Sequence, residues 1–263
     1  MNFLSSISLK EHEERGFPFD LPLIQELGEL TFHNQVSFFI GENGSGKSTL
    51  LEALAAGIGL PAIGSNDVGE DPSLGPARRL GRKIRFRWKN KTRRGFFLRA
   101  EDFFGFTKRL NQLQQDFESD ISEIEGELEG YGLQLAKGAI MGQKQALTDR
   151  YGEDLDENSH GESFLKLFQA RFTQPGIYLL DEPEAPLSPQ RQLALISMIK
   201  EMCEDKQAQF IIATHSPILM AYPGASIFEF KEGQISEVPY DETEHVVLTR
   251  NFLNNPDLYL RYL

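Results

Sequence analysis

Cys203 is the sole cysteine in 263 residues, so no intrachain disulfide can form. Long apolar runs are missing as well. No window approaches the roughly 18 uninterrupted apolar residues that a membrane-spanning helix needs. Even the stretch from Phe210 to Phe228 carries His215 and three prolines or glycines. The opening Met1-Asn2-Phe3-Leu4-Ser5-Ser6 lacks the basic flank and apolar core of a secretory signal. These absences predict a cytoplasmic protein with no direct membrane insertion, for which any membrane role requires a partner subunit. Net positive charge is lacking too: the formal charge of −12 argues against nonspecific coating of nucleic acid.

What is present is enough for a core. A 40% apolar content over this length supports one large domain or two small ones. The charge is unevenly spread. Eleven of the 27 Lys and Arg residues lie between Arg78 and Arg99, where there is no Asp or Glu. In that stretch Ile84-Arg85-Phe86-Arg87-Trp88-Lys89 alternates apolar with basic, and Arg94-Gly95-Phe96-Phe97-Leu98-Arg99 follows. The pattern predicts an antiparallel hairpin with one basic face. It reads as a solvated strand face, a surface for anions or nucleic acid, or a docking surface for a partner.

The strongest local signal is Gly41-Glu42-Asn43-Gly44-Ser45-Gly46-Lys47-Ser48, which fits the phosphate-binding pattern G-x-x-x-x-G-K-[ST]. Glycines let the backbone turn tightly, so that successive N–H groups converge on phosphate oxygens. Val36–Ile40 supplies a preceding strand. Residues 48–56 have helix-forming composition that stops at Gly57 and Gly59 before Pro61. The loop therefore opens a helix, whose N-terminal dipole favours anions. Lys47 is placed to pair with the β- and γ-phosphates, and Ser48 to offer its hydroxyl to Mg²⁺. Gly41, Asn43, Gly44, Ser45, Gly46, Lys47, Ser48 and Thr49 make up the expected nucleotide-binding set, Thr49 capping or packing. The bland alternative is a glycine-rich connection that meets the pattern by chance.

Residues 61–77 read as a loop. From Leu110 the period changes: Leu110, Leu113, Phe117, Ile121, Ile124 and Leu128 fall on one helical face. The other face is acidic between Asp116 and Glu129, with no Lys or Arg in that span. It suits a solvated face or a dock for something basic, such as the Arg78–Arg99 stretch. Further on, the order strand, helix, strand (Gly176–Leu180, Gln190–Cys203, Ala208–Ala213) predicts a buried parallel sheet. A hairpin over 227–238 and helices over 242–250 and after Pro256 close the chain.

Asp181-Glu182 follows a strand of that sheet, at the carboxyl edge where open parallel sheets bind ligands. Asp181 is expected to hold Mg²⁺, and Glu182 to orient and deprotonate the water that attacks the γ-phosphate. Thr214-His215-Ser216-Pro217 ends the last core strand, which places the His215 imidazole at the same edge to sense or polarise that phosphate. Taken singly, the acids suit a solvated strand end and the histidine a satisfied turn. Joint placement favours a catalytic pair with a phosphate sensor.

In this order, GENGSGKST, NSHGES, IYLLDEPEAPLS and ATHSP resemble the phosphate loop, signature, Walker B segment with D-loop, and switch histidine of ABC-type ATPases. The likeness is to the soluble branch with Rad50, SMC and RecF proteins, and within it to small stand-alone bacterial ATPases, through GFFLRAEDFF, SHGESFLKLFQARF and LTRNFLNNPDLYL. It implies an α/β fold: an ABC-type P-loop NTPase with a largely parallel core sheet, an antiparallel β subdomain and a helical lobe. A single domain over 1–263 is expected. Its parts are a β region with the phosphate loop to 101, the helical lobe over 102–157, the signature, Walker B and switch segment over 158–241, and C-terminal helices from 242. The resemblance further implies ATP and Mg²⁺ as cofactors and an ATP-dependent homodimer. In that dimer Ser159 and Gly161 of the signature cap the γ-phosphate bound to the opposite copy.

The sequence also departs from the family pattern. His160 replaces the usual signature glycine and Ser188 stands where many relatives have Asp in the D-loop. No Gln follows the basic stretch, where Glu101 is the candidate substitute. Phe17 and Phe19 are candidates for stacking on adenine, with core packing the favoured reading of either. Three outputs fit these features: a dimeric ATPase acting on an unidentified partner, a DNA-associated switch of Rad50/RecF type through Arg78–Arg99, and, least favoured, a transporter motor.

Overall fold

The computed structural model describes residues 2–63, 74–151, 160–205 and 207–261. The chain begins β1 (Leu4–Leu9), α1 (Pro22–Gln25), β2 (Leu30–Thr31), β3 (Val36–Gly41), α2 (Lys47–Ile58) and β4 (Ala62–Ile63). It continues through α3 (Gly75–Lys83), β5 (Ile84–Trp88), β6 (Gly95–Arg99), α4 (Ala100–Glu127) and α5 (Gly130–Tyr151). Next come α6 (His160–Arg171), β7 (Ile177–Asp181), α7 (Pro189–Asp205), β8 (Gln209–Ala213) and α8 (Pro217–Met220). β9 (Ser226–Lys231), β10 (Gln234–Glu237), α9 (Glu244–Asn254) and α10 (Pro256–Leu260) finish the described chain.

β3, β7 and β8 are buried at every position, as near-continuous apolar strands must be when both faces are covered. They lie in a seven-stranded sheet of order β10-β9-β3-β8-β7-β6-β4. Its neighbours run parallel except for the β9–β10 hairpin. Alternation along each strand feeds two cores. Tyr178 and Leu180 of β7 join Phe96, Phe164, Phe168, Phe172 and Phe210 on one face. Ile177 and Leu179 face the opposite layer with Phe39, Leu50, Leu54 and Leu80. Each such aromatic or leucine side chain contributes about 1.5 to 3 kcal/mol on burial.

β1 forms a second, antiparallel sheet of order β2-β1-β5. Gln209, fully buried in β8, ties this sheet to the first: its Oε1 accepts from the N–H groups of Phe3 and Leu4 at 2.9 and 2.8 Å, and its Nε2 donates to Leu4 O at 3.0 Å. The α2 and α3 backbones touch where both helices lack a side chain. A Cβ on Gly81 would lie 2.6 Å from Ala53 O, and one on Gly57 would lie 2.9 Å from Gly81 O. Gly57 therefore serves close packing inside α2, and the helix ends later, at Gly59, whose φ of 79° gives a left-handed cap.

Four expectations need correction. Ile84–Lys89 and Arg94–Arg99 do not form a hairpin: β5 pairs with β1, and β6 lies parallel between β7 and β4. The physical reason is in the side chains. β5 alternates and suits a sheet with one wet face, whereas Phe96, Phe97 and Leu98 of β6 are all buried and need cover on both. The cationic stretch is thus divided among α3, β5, its following loop and β6. The acidic helix face is also not left uncompensated, because Lys144 of α5 pairs with Glu118 at 2.8 Å and Lys137 with Glu125. Moreover, the helix expected from Leu110 begins at Ala100, and α3 starts inside the predicted 61–77 loop.

Candidate functional site

The loop between β3 and α2 turns on glycines at positive φ: Gly41 at 138°, Gly44 at 82° and Gly46 at 97°. At Gly46 a side chain is also excluded by Leu23, whose Cδ2 would lie 2.7 Å from a Cβ. Lys47 is only 4% exposed and donates from Nζ to the carbonyls of Gly41 and Glu42, both at 2.8 Å. Burial lowers its pKa, against the attraction of Glu182, Asp181 and Glu184. Ser45 Oγ is buried and has no hydrogen-bond partner among the described residues. A loop with an enclosed ammonium and an orphaned hydroxyl is chemically matched to a phosphate chain.

The parallel register delivers the other groups. β7 ends at Asp181, paired with Ala213 at the end of β8, and β3 lies on the other side of β8. Ser48 Oγ donates to Asp181 Oδ1 at 3.2 Å. Burial, with Glu182 and Glu52 adding to it, raises the Asp181 pKa to about 7 despite the Ser48 hydrogen bond and Lys47. A buried carboxylate with so little compensation, beside a serine hydroxyl, fits Mg²⁺, which takes one or two protein oxygens and leaves the rest of its shell to phosphates and water. No group of three or more His, Cys, Asp or Glu that could hold a metal ion occurs among the described residues.

Glu182 sits at φ 49°, a strained position for a residue with a side chain, held by its N–H donating to Ala213 O at 2.9 Å. Its half-exposed carboxylate lies 3.7 Å from His215 Nε2. The structure adds two residues that the sequence motifs did not single out. Glu184 is the first, accepting through Oε1 from Thr214 Oγ1 and the His215 N–H, each at 2.7 Å. Burial raises its pKa. The second is His245 of α9, whose Nε2 is 3.1 Å from His215 Nδ1. Glu184 was within reach of the sequence as the third acid of D-E-P-E, whereas nothing local marks His245. Burial, and then Lys47, lower the His215 pKa, with Glu182 opposing.

Arg99 closes the side beyond Asp181. It pairs with Asp102 at 2.7 Å and with Glu52 at 3.2 Å. Glu101 is exposed at the rim, 3.6 Å from Arg99, and lines with Ser48, Asp181 and Glu182 a pocket of about 360 Å³. A neighbouring pocket of about 350 Å³ is lined by Phe17, Asn43, Lys47, Thr49 and Glu182. Phe17 is 56% exposed there, while Phe19 is 2% exposed, packs on His12 and lies under Arg79. Phe19 is therefore a core residue and not a free stacking surface.

Ser159 lies outside the described residues. Gly161 is in the first turn of α6, where a Cβ would meet Arg191 Cδ at 2.8 Å and Pro186 O at 2.9 Å. The chain thus joins Lys47, Ser48, Asp181, Glu182 and His215 at one edge and packs Gly161 against Pro186 and Arg191. Of the cationic stretch, Arg79 and Lys83 pair with Glu14, and Arg87 pairs with Glu29. Arg85 and Lys89 are exposed. Among the described residues no helix is long and apolar enough to cross a membrane.

Residues 87–220 match the family model described as the AAA ATPase domain, a span just over half of the chain that contains Asp181, Glu182 and His215. The lipoprotein-releasing system ATP-binding protein LolD 1 of Chlorobium luteolum is 27% identical over 201 residues, covering 74% of this chain and 80% of that one. LolD of Saccharophagus degradans is 29% identical over 188 residues, 68% and 74% of the two chains. In structure, a metal-chelate type ABC transporter in an inward-facing conformation superposes with a TM-score of 0.51 at 17% identity, over 95% of this chain and 88% of that one. That likeness is one of fold.

Proposed function

The chain belongs to the AAA ATPase domain family, and from that premise we propose that it is an ABC-type ATPase that hydrolyses ATP with Mg²⁺ between two head-to-tail copies and passes the cycle to a partner. The observation that carries this reading is the meeting of Ser48, Asp181, Glu182 and His215 at the carboxyl edge of β3, β7 and β8.

In this reading the N–H groups from Gly44 to Ser48 and the Lys47 ammonium bind the phosphates, Lys47 exchanging two backbone carbonyls for phosphate oxygens. Ser48 and Asp181 are the residues that would hold Mg²⁺, which when bound would neutralise charge on the phosphates. Glu182 orients the attacking water and takes its proton. His215 presents a ring nitrogen to the γ-phosphate, and Glu184 fixes the His215 backbone through the N–H it accepts. Phe17 stacks on the base at the mouth of the adjoining pocket. Glu101, on the rim beyond Asp181, supplies a polar contact in place of the missing Gln. Ser159 and Gly161 of one copy cap the nucleotide of the other.

Light scattering with the slow variant Glu182→Gln tests the sandwich. ATP with Mg²⁺ is expected to convert monomer to dimer, and adding Lys47→Ala to abolish the change. A monomer mass with and without ATP overturns it.

The nature of the partner is the open part of the proposal. The names of the LolD relatives connect them to lipoprotein release, and copurification with a membrane subunit is the outcome that assigns a transport motor. A DNA-associated switch draws on exposed Arg85 and Lys89 of the β1–β5 sheet and its edge. Duplex binding with log K falling about 0.9 per neutralised phosphate for each unit of log[salt], reduced by Arg85→Glu with Lys89→Glu, supports that output.

A further inference from the structure

We propose that His245 is a positioning residue that holds His215 in one tautomer, with Nδ1 as acceptor and the ring proton on Nε2. The proposal rests on the reading of His215 as the group facing the γ-phosphate, and goes beyond it by naming what sets the direction of its proton.

His215 Nδ1 and His245 Nε2 are 3.1 Å apart. Between two neutral imidazoles at that distance one nitrogen must carry the proton, because two lone pairs or two N–H groups would repel. If His215 donated, its Nε2 would be a bare lone pair facing the Glu182 carboxylate oxygen 3.7 Å away. If His245 donates, His215 Nε2 carries N–H toward that carboxylate. The second arrangement puts opposite charge together, and it alone gives His215 a proton to offer to an incoming phosphate oxygen. Nε2 is buried and has no hydrogen-bond partner among the described residues, so its proton is uncommitted until a ligand arrives. Burial and the Lys47 ammonium favour the neutral His215 ring, the form in which the tautomer is defined.

His245 is fixed well enough to impose this. The neighbouring Val246 is 2% exposed in the core, and Thr243 is 1% exposed with Oγ1 donating to Tyr240 O at 2.9 Å. Tyr240 in turn donates from its hydroxyl to Pro217 O at 3.1 Å, two residues beyond His215. The charged groups facing His215 are Lys47 and Glu182, with Glu184 on its backbone N–H, and Glu244, next to His245 in sequence, is 4.0 Å from Lys231. His245 also lines a pocket of about 350 Å³ with Gly41 to Ser45, so the imidazole that meets His215 borders the same cavity as the phosphate loop.

The test is a two-bond hydrogen–nitrogen correlation spectrum of the full chain with labelled histidine, free of nucleotide. His215 is identified among the 5 histidines by the signal lost in His215→Asn. The expected spectrum has a pyridine-type Nδ1 and a pyrrole-type Nε2 at His215. His245→Glu, which can only accept, is expected to move a proton onto Nδ1. His245→Gln, which retains a donor, is expected to preserve the parent pattern. A pyrrole-type Nδ1 in the parent, or a His245→Glu spectrum identical to it, overturns the proposal. The parent spectrum decides even if a variant fails to fold.

Turnover gives the second reading. His245→Glu is expected to lower kcat about tenfold, the loss of roughly one transition-state hydrogen bond, with little change in KM and with rescue by Gln. If His215→Ala hydrolyses ATP normally, the phosphate role of His215 fails while the spectrum still judges the tautomer. If His215→Ala is slow and His245→Glu is not, the positioning role is overturned.

Discussion

Ser48 Oγ donates to Asp181 Oδ1 at 3.2 Å across 133 residues of sequence. One partner opens a helix and the other ends a strand, and the two meet because β3 and β7 both flank β8 in parallel. The contact joins the residue types that hold Mg²⁺ with a nucleotide, and it leaves the aspartate in a medium that disfavours its charge.

That environment sets a pH dependence. The Asp181 pKa is about 7 in the folded chain against 3.8 when unperturbed, so the folded state keeps a proton that the unfolded state has released. Its contribution to stability is therefore intact near pH 4, declines as pH rises toward about 7, and is lost above that. Asp181→Asn is expected to leave the nucleotide-free melting temperature near pH 4 unchanged and to raise it at about pH 8, by a few kcal/mol of stability. A Tm difference that does not grow with pH contradicts the assignment. With ATP and Mg²⁺ present the sign reverses, because Asn loses the metal-linked stabilisation.

Glu182→Gln is expected to lower kcat a hundredfold or more, within the roughly 10² to 10⁴ that general-base catalysis provides, while ATP affinity changes little. Lys47→Ala is expected to weaken ATP binding roughly 10- to 100-fold through loss of a charged hydrogen bond to phosphate. Equilibrium binding and single-turnover hydrolysis separate the two effects. Parent-level turnover by the glutamine variant would remove Glu182 as the base.

Gln209 is expected to be costly to replace. Gln209→Leu leaves the buried Leu4 N–H and its neighbour at Phe3 without the acceptor they share. The loss is about 1 to 3 kcal/mol for each group left unpaired, read as a lower denaturant midpoint. Hydrogen exchange should rise first in β1. Uniform exchange across both sheets would count against this local account.

Gly81→Ala is expected to destabilise by about 1 to 3 kcal/mol, because the new methyl meets the Ala53 carbonyl of α2 rather than a side chain that can turn aside. Gly142→Ala, where a Cβ meets nothing within 4 Å, is the control and should be neutral or slightly stabilising. Thermal melts of the two variants side by side decide it.

The amino-acid sequence by itself determined the phosphate loop, the parallel core strands and the acids at their edge, because each is written in contiguous residues. Val36–Gly41, Ile177–Asp181 and Gln209–Ala213 are runs too apolar for anything but a sheet covered on both faces, and the glycines of the loop have the positive φ that their type permits. The pairing of the basic strands was beyond local pattern. Ile84–Trp88 and Gly95–Arg99 are neighbours in sequence, yet each joined the sheet that matched its own burial, and partner choice depends on strands far along the chain. The fate of Phe17 and Phe19 was equally nonlocal, since only packing around His12 and Arg79 buries one and leaves the other at the pocket mouth. His245 shows the limit most clearly. No motif surrounds it, and its approach to His215 follows from anchoring α9 through Val246 and Tyr240, a relation of distance and orientation that only the folded chain can establish.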